Sequence, residues 1–180
     1  MNRRYLALVT LGAVLFLAGC LGGSAGPTNA QLNQNESYDW NTSATATIRL
    51  GGDDYTSIYR VNGSSKLSVY KRDVFNNREP LTIRALRFRY PNGTVVSPRN
   101  STLRAGSNDE RTRLRLPNAT GQVAFTADQP GKNFRTPTFV GGSYEVVLPP
   151  DTGVGVPILS HVAPGGYEST VGVWRPSVSI

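Results

Sequence analysis

From Ser37 onward, apolar and polar residues alternate in short runs that glycine, proline or asparagine interrupt. A period of two with breakers about every ten residues specifies strands, because successive side chains of a strand point to opposite faces. Thr42 to Leu50 sets Ala44, Ala46, Ile48 and Leu50 on one side, and Gly51-Gly52-Asp53-Asp54 then supplies a turn. Tyr55 to Val61 sets Tyr55, Ser57, Tyr59 and Val61 against Thr56, Ile58 and Arg60. Lys66 to Tyr70 pairs Leu67 with Val69, and Thr82 to Tyr90 places Leu86, Phe88 and Tyr90 opposite Arg87 and Arg89 before the turn at Asn92-Gly93. Further runs lie at Arg111–Leu116, Gln122–Thr126, Arg135–Val140, Tyr144–Leu148, Val154–Val162 and Tyr167–Trp174. The fold class expected is all-β, an antiparallel β-sandwich of immunoglobulin-like type with roughly nine to eleven strands.

The first residues carry a different signal. Asn2-Arg3-Arg4 is a charged n-region, and Tyr5 to Ala18 is apolar but short for a membrane span. Leu17-Ala18-Gly19-Cys20 then puts the chain's single cysteine where a lipoprotein signal is cleaved. The expected organisation is a signal peptide over residues 1–19, a flexible tether over 20–36 and the β-sandwich over 37–180. Cys20 is the lipidation site, and two chains on it are needed because one acyl chain binds only marginally. The tether is rich in Gly, Ser, Asn and Gln and would hold the domain about 20 Å from the membrane. Arg3-Arg4 fits either a general secretory or a twin-arginine signal. The expected location is the extracytoplasmic face of the cell membrane.

Charge and cysteine usage narrow the rest. Removing residues 1–19 takes Arg3 and Arg4 from the 19 basic residues, so 17 face 12 acidic ones and the net charge falls from +7 to +5. Such an excess suits an anionic membrane surface or an anionic envelope polymer, and an exported domain makes nucleic acid an unsuitable partner. With Cys20 assigned, no intrachain disulfide is available and packing must hold the domain. Six sequons, at Asn35, Asn41, Asn62, Asn92, Asn100 and Asn118, all lack proline in the middle position and mark candidate glycosylation sites.

Five arginines could carry a binding function. Arg87 and Arg89 share one strand face, and Arg111, Arg113 and Arg115 share another. If those strands are neighbours, their guanidinium groups form a stripe for phosphate, sulfate or carboxylate. The competing reading is a solvated face paired with Glu79, Asp109 and Glu110 that discourages edge aggregation.

Catalytic chemistry finds little support. His161 is the single histidine, which excludes a multi-histidine metal site. No serine sits in a Gly-x-Ser-x-Gly turn, and Ser160 beside His161 points to the opposite strand face. Asp53-Asp54 and Asp109-Glu110 are carboxylate pairs, yet neither has the spacing of a calcium loop. Gly141-Gly142 and Gly165-Gly166 lack the helix and lysine of a phosphate loop, so no cofactor is expected. The leading expectation is a non-enzymatic binding or structural module of the envelope, possessing neither catalytic nor metal residues. A lipid-tethered hydrolase using Asp53, Asp54, Asp109 or Glu110 is the alternative.

The C-terminal third reads Leu148-Pro149-Pro150-Asp151-Thr152-Gly153-Val154-Gly155-Val156-Pro157-Ile158-Leu159 and then Pro164-Gly165-Gly166-Tyr167-Glu168. With the signal ending in Ala18-Gly19-Cys20 and the Tyr38-Asp39-Trp40 segment, this wording resembles uncharacterised haloarchaeal cell-surface lipoproteins over most of the length. The resemblance implies a β-rich domain without assigned activity, continued in some members by a membrane-spanning helix. The chain departs from it in being basic and in stopping at Ser177-Val178-Ser179-Ile180 without such a helix. Two readings follow: anchoring by lipid alone, or a shortened chain whose last strand is incomplete.

Overall fold

The alternating runs form two sheets packed face to face in the computed structural model, which describes residues 26–129, 134, 137–149, 167–170 and 173–176, the last eight by backbone alone. Among the described residues the strands are β1 (Ala46–Leu50), β2 (Asp54–Val61), β3 (Lys66–Arg72), β4 (Arg78–Pro80), β5 (Ile83–Arg89) and β6 (Val95–Val96). They continue with β7 (Arg104–Ser107), β8 (Thr112–Arg115), β9 (Gly121–Asp128), β10 (Tyr144–Val147), β11 (Tyr167–Thr170) and β12 (Val173–Pro176). The larger sheet runs β11-β12-β10-β1-β2-β9-β5-β6 and the smaller β4-β3-β8-β7. All pairings are antiparallel except β1 with β10. The antiparallel-rich sandwich is therefore as expected, with eight strands facing four among the described residues.

The inward faces follow the alternation. Ala46, Ile48, Tyr59, Leu86, Phe88, Val123 and Phe125 from the large sheet meet Leu67, Val69 and Leu114 from the small one in a single core. Each buried aliphatic or aromatic side chain of this kind contributes about 1.5–3 kcal/mol. Tyr59 stacks on Phe125 with centroids 5.8 Å apart, which ties β2 to β9 at the centre of the sheet.

β5 breaks the period of two in one place. Arg84 faces Thr126 and Arg87 faces Ala124, so Ala85 and Leu86 together oppose Phe125. Ala85 adopts φ 51°, and this β-bulge lets Ile83 and Leu86 both reach the core although their spacing is odd. Ala85 instead turns outward beneath Tyr38, Ile58, Ala124 and Trp40, a second apolar cluster on the outer face of the large sheet.

Several boundaries differ from the sequence pattern. β1 starts at Ala46 rather than Thr42, and Tyr167–Trp174 is the hairpin of β11 and β12 rather than one strand. Residues 137–140, expected inside a strand, form none; Phe139 and Val140 pack on the core, and the Val140 carbonyl accepts from the Tyr144 hydroxyl at 2.8 Å. The expected strand at Val154–Val162 lies outside the described residues, as do the signal segment, Cys20, Ser160 and His161.

The second half of the expected tether is packed on the domain. Asn29–Leu32 forms a helical turn, α1, closed by a capping box in which Thr28 and Gln31 bond each other's backbone amides. Leu32 enters the main core at 2% exposure. The guanidinium of Arg87 donates to the Leu32 carbonyl at 3.3 Å and to the Gln34 carbonyl at 2.6 Å, and Asn33 accepts from the Arg99 amide at 3.0 Å. Glycine and asparagine content suggested a free linker, but one capped turn and one buried leucine suffice to dock it.

Candidate functional site

The outer face of the large sheet carries an open cleft of about 660 Å³ lined by Trp40, Asn41, Arg60, Arg89, Gly93, Val95 and Gln122. Its floor is a single cross-strand row. Arg60 of β2 and Arg89 of β5 both stand opposite Gln122 of β9, and Val95 of β6 stands opposite Arg89. Two strand spacings set Arg60 and Arg89 about 10 Å apart at the backbone.

Gln122, Arg89 and Arg60 are each positioned by side-chain hydrogen bonds. The Gln122 amide donates to the Trp40 carbonyl at 3.2 Å and to the Thr42 hydroxyl at 3.3 Å, while its oxygen accepts from Arg89 at 3.3 Å. Arg60 donates to the Thr42 carbonyl. Trp40 is half-buried, its ring edge-on to Tyr38 at 5.8 Å. Tyr38 in turn donates to the Ala85 carbonyl at 2.8 Å and shares a 3.0 Å bond with the Thr126 hydroxyl, so the bulge of β5 anchors the cleft's wall. Burial raises the Tyr38 phenol far above its ordinary pKa, against the lowering effect of the Thr126 bond, and keeps it a donor.

Neither Arg60 nor Arg89 has a carboxylate partner among the described residues, although other arginines of this sheet do. Arg84 is held between Asp54 and Asp128, and Arg49 lies 3.6 Å from Asp39. The cleft thus combines two unneutralised guanidinium groups, the Asn41 amide and an indole. Planar donors of that kind bind carboxylate, sulfate or phosphate groups, and an indole supplies a stacking surface. A second hollow of about 230 Å³ adjoins it at Val95 and is lined by Asn33, Asn35, Arg87, Val96, Ser97, Arg99 and Asn100.

The five-arginine stripe is not assembled. Arg87 and Arg89 belong to β5 of the large sheet, whereas Arg113 and Arg115 belong to β8 of the small one, with Arg111 just before it. Alternation correctly separates each set from the core but says nothing about which strands are neighbours. Arg87 is occupied by the backbone carbonyls around α1, and Arg111 pairs with Glu110 at 2.7 Å. That hydrogen bond, with the nearby charges of Arg111, Arg78 and Arg113, holds the Glu110 carboxyl below its usual range. Arg113 and Arg115 are exposed.

The candidate carboxylates are likewise divided. Asp53 and Asp54 lie at the start of β2, with Asp54 committed to Arg84, while Asp109 and Glu110 lie in the β7–β8 turn of the other sheet. No cluster of metal-binding side chains occurs among the described residues. Gly141 and Gly142 form the turn before β10, where Gly142 at φ 117° passes close to the Thr45 side chain.

All six sequon asparagines are exposed. The Asn92 and Asn118 side chains accept from the amides of Thr94 and Thr120 at 3.0 and 3.1 Å, as turn-forming asparagines do. Asn41 lines the main cleft and Asn35 and Asn100 line its neighbour.

Trp40, Arg60 and Gln122 were not recognisable as a site from single strands. The usable signal was Ile58, an apolar residue on the outward phase of β2, which requires a cover that Tyr38 and Trp40 provide. No curated protein and no solved structure matches the chain. A sequence profile matches residues 42–177, and the chain belongs to the family it describes, a family of unknown function (DUF5803).

Proposed function

We propose that this chain is a cell-surface module, held at the extracytoplasmic face of a membrane by lipid on Cys20, that binds acidic groups of an envelope polymer in the cleft of Arg60, Arg89 and Trp40. The row Arg60–Gln122–Arg89 carries this reading: two guanidinium groups on one sheet face, without carboxylate partners among the described residues, beside a fixed indole. The sequence Leu17-Ala18-Gly19-Cys20 supports the anchor, and the exposed sequons support glycosylation, with Asn35 and Asn100 placing sugars beside the cleft and Asn41 left free within it.

The polymer contributes carboxylate or sulfate to the guanidinium pair and a sugar face to Trp40, so charge and stacking act together. Calorimetric titration with an acidic polysaccharide tests the binding: saturable heat with affinity about tenfold weaker in Arg89→Gln supports it, and absence of binding refutes it. Intact mass of protein extracted from host membranes tests the address. A chain beginning at lipid-modified Cys20 is expected, and an unmodified full-length mass in the soluble fraction would contradict it.

A further inference from the structure

The small sheet concentrates positive charge to a degree the large one does not. Glu79 is the only acidic residue in β3, β4, β7 and β8, and it is already paired with Lys71 at 3.2 Å. On the outward face, Lys66, Arg115 and Arg104 occupy one cross-strand row, each opposite the next, and all three are exposed. Arg113 lies in the adjoining row between Ser68 and Gly106. Like charges directly opposite one another destabilise a sheet, and no carboxylate stands in either row to relieve them.

The path of the chain adds an independent constraint. Gly26 lies against Ser107 of β7, the edge strand of this sheet; a Cβ on it would stand 3.0 Å from the Ser107 amide nitrogen. Only five residues separate Gly26 from Cys20, and the six steps between them reach about 20 Å at full extension. A lipid on Cys20 therefore keeps Ser107, three residues from Arg104, within that distance of the bilayer.

We infer that the outer face of the small sheet, through Lys66, Arg113 and Arg115, lies on anionic lipid headgroups, leaving the cleft on the opposite sheet turned outward. The reach argument rests on the anchor proposed above. Contact held by a tether needs no long-range attraction, since the anchor supplies a high local concentration and guanidinium–phosphate bonds form at close range.

The test uses the full chain carrying Cys20→Ser, co-sedimented in about 0.1 M salt with vesicles of phosphatidylcholine alone or mixed with phosphatidylglycerol. The apolar segment before residue 20 is common to every variant, so differences between variants report the sheet face. Stronger partition to the anionic vesicles is expected, falling about a hundredfold in Lys66→Gln/Arg113→Gln/Arg115→Gln and about fivefold in Arg115→Gln alone. Arg60→Gln/Arg89→Gln should leave it unchanged. Equal partition to both vesicles, no loss in a natively folded Arg115→Gln or triple variant, or tighter binding to a soluble acidic polysaccharide through the same residues would overturn the inference. Because lipid on Cys20 is absent throughout, these outcomes are separate from failure of the anchor, which the intact mass alone reports.

Discussion

Arg60 and Arg89, on strands that do not touch each other, stand opposite the same residue, Gln122, from its two sides. The Gln122 side chain bonds Arg89 and, through the Thr42 hydroxyl and Trp40 carbonyl, the segment that also receives Arg60. One β-row thereby fixes two positive charges and the backbone that carries the indole. Pre-set donors lose little freedom when a ligand arrives, which favours recognition over mere surface solvation.

The two arginines should separate in mutation. Arg89→Gln removes one guanidinium while its hydrogen-bond partner Gln122 keeps the Trp40 and Thr42 bonds, so acidic-polymer affinity should fall about tenfold, as for a charged hydrogen bond of roughly 1.5 kcal/mol, with little change in unfolding temperature. Arg60→Ala also orphans the half-buried contact to the Thr42 carbonyl and should lower both affinity and stability. Calorimetric titration beside thermal denaturation distinguishes them.

Tyr38→Phe should cost about 1–2 kcal/mol at neutral pH by leaving the Ala85 carbonyl and Thr126 hydroxyl without their partner. Burial raises this phenol's pKa, so the native state keeps a proton that the unfolded chain loses above about pH 10. Stability should fall as pH rises past that point, and less steeply in Tyr38→Phe. Buried Tyr55 and Tyr144, also raised, contribute in the same sense and keep a residual slope. Urea midpoints at neutral and alkaline pH check both statements.

Leu32→Ala should destabilise the domain by about 3 kcal/mol, the scale of a buried leucine leaving a cavity. A free linker would predict no change, so chemical denaturation of this variant tests whether residues 28–34 belong to the folded unit.

Gly121→Ala should cost about 3 kcal/mol or prevent folding. Gly121 has φ 155°, and an added Cβ would stand 2.5 Å from both the Arg89 carbonyl oxygen and the Phe88 ring. Relief requires β5 and β9 to separate beside the cleft, which the same denaturation experiment and loss of polymer binding would register.

The sequence made the faces legible and left the neighbours illegible. Leu67 with Val69, and Tyr55 with Tyr59, fall inward as their alternation requires, because a strand's period is local. Strand order is not local: nothing in Arg87 or Arg113 states that β5 pairs with β9 and β8 with β7. The short strands β4, β6 and β7 escaped detection because two to four residues, one of them Gly106 and another Pro80, cannot display a period. Parity failed at Ile83 because the bulge at Ala85 inserts a residue that only the partner strand reveals. The cleft draws on β2, β5, β6 and β9 together with Trp40, so it became visible only when those strands were set side by side.

The most direct test of the binding reading is the emission of Trp40 in a Trp174→Phe background, which leaves Trp40 as the only indole, during titration with an acidic oligosaccharide. A saturable change in Trp40 emission, moved to about tenfold higher ligand concentration by Arg89→Gln and unmoved in Arg115→Gln, is the result this account predicts. Saturable binding by calorimetry with Trp40 emission unmoved, or with Arg89→Gln binding as tightly as its parent, would contradict it.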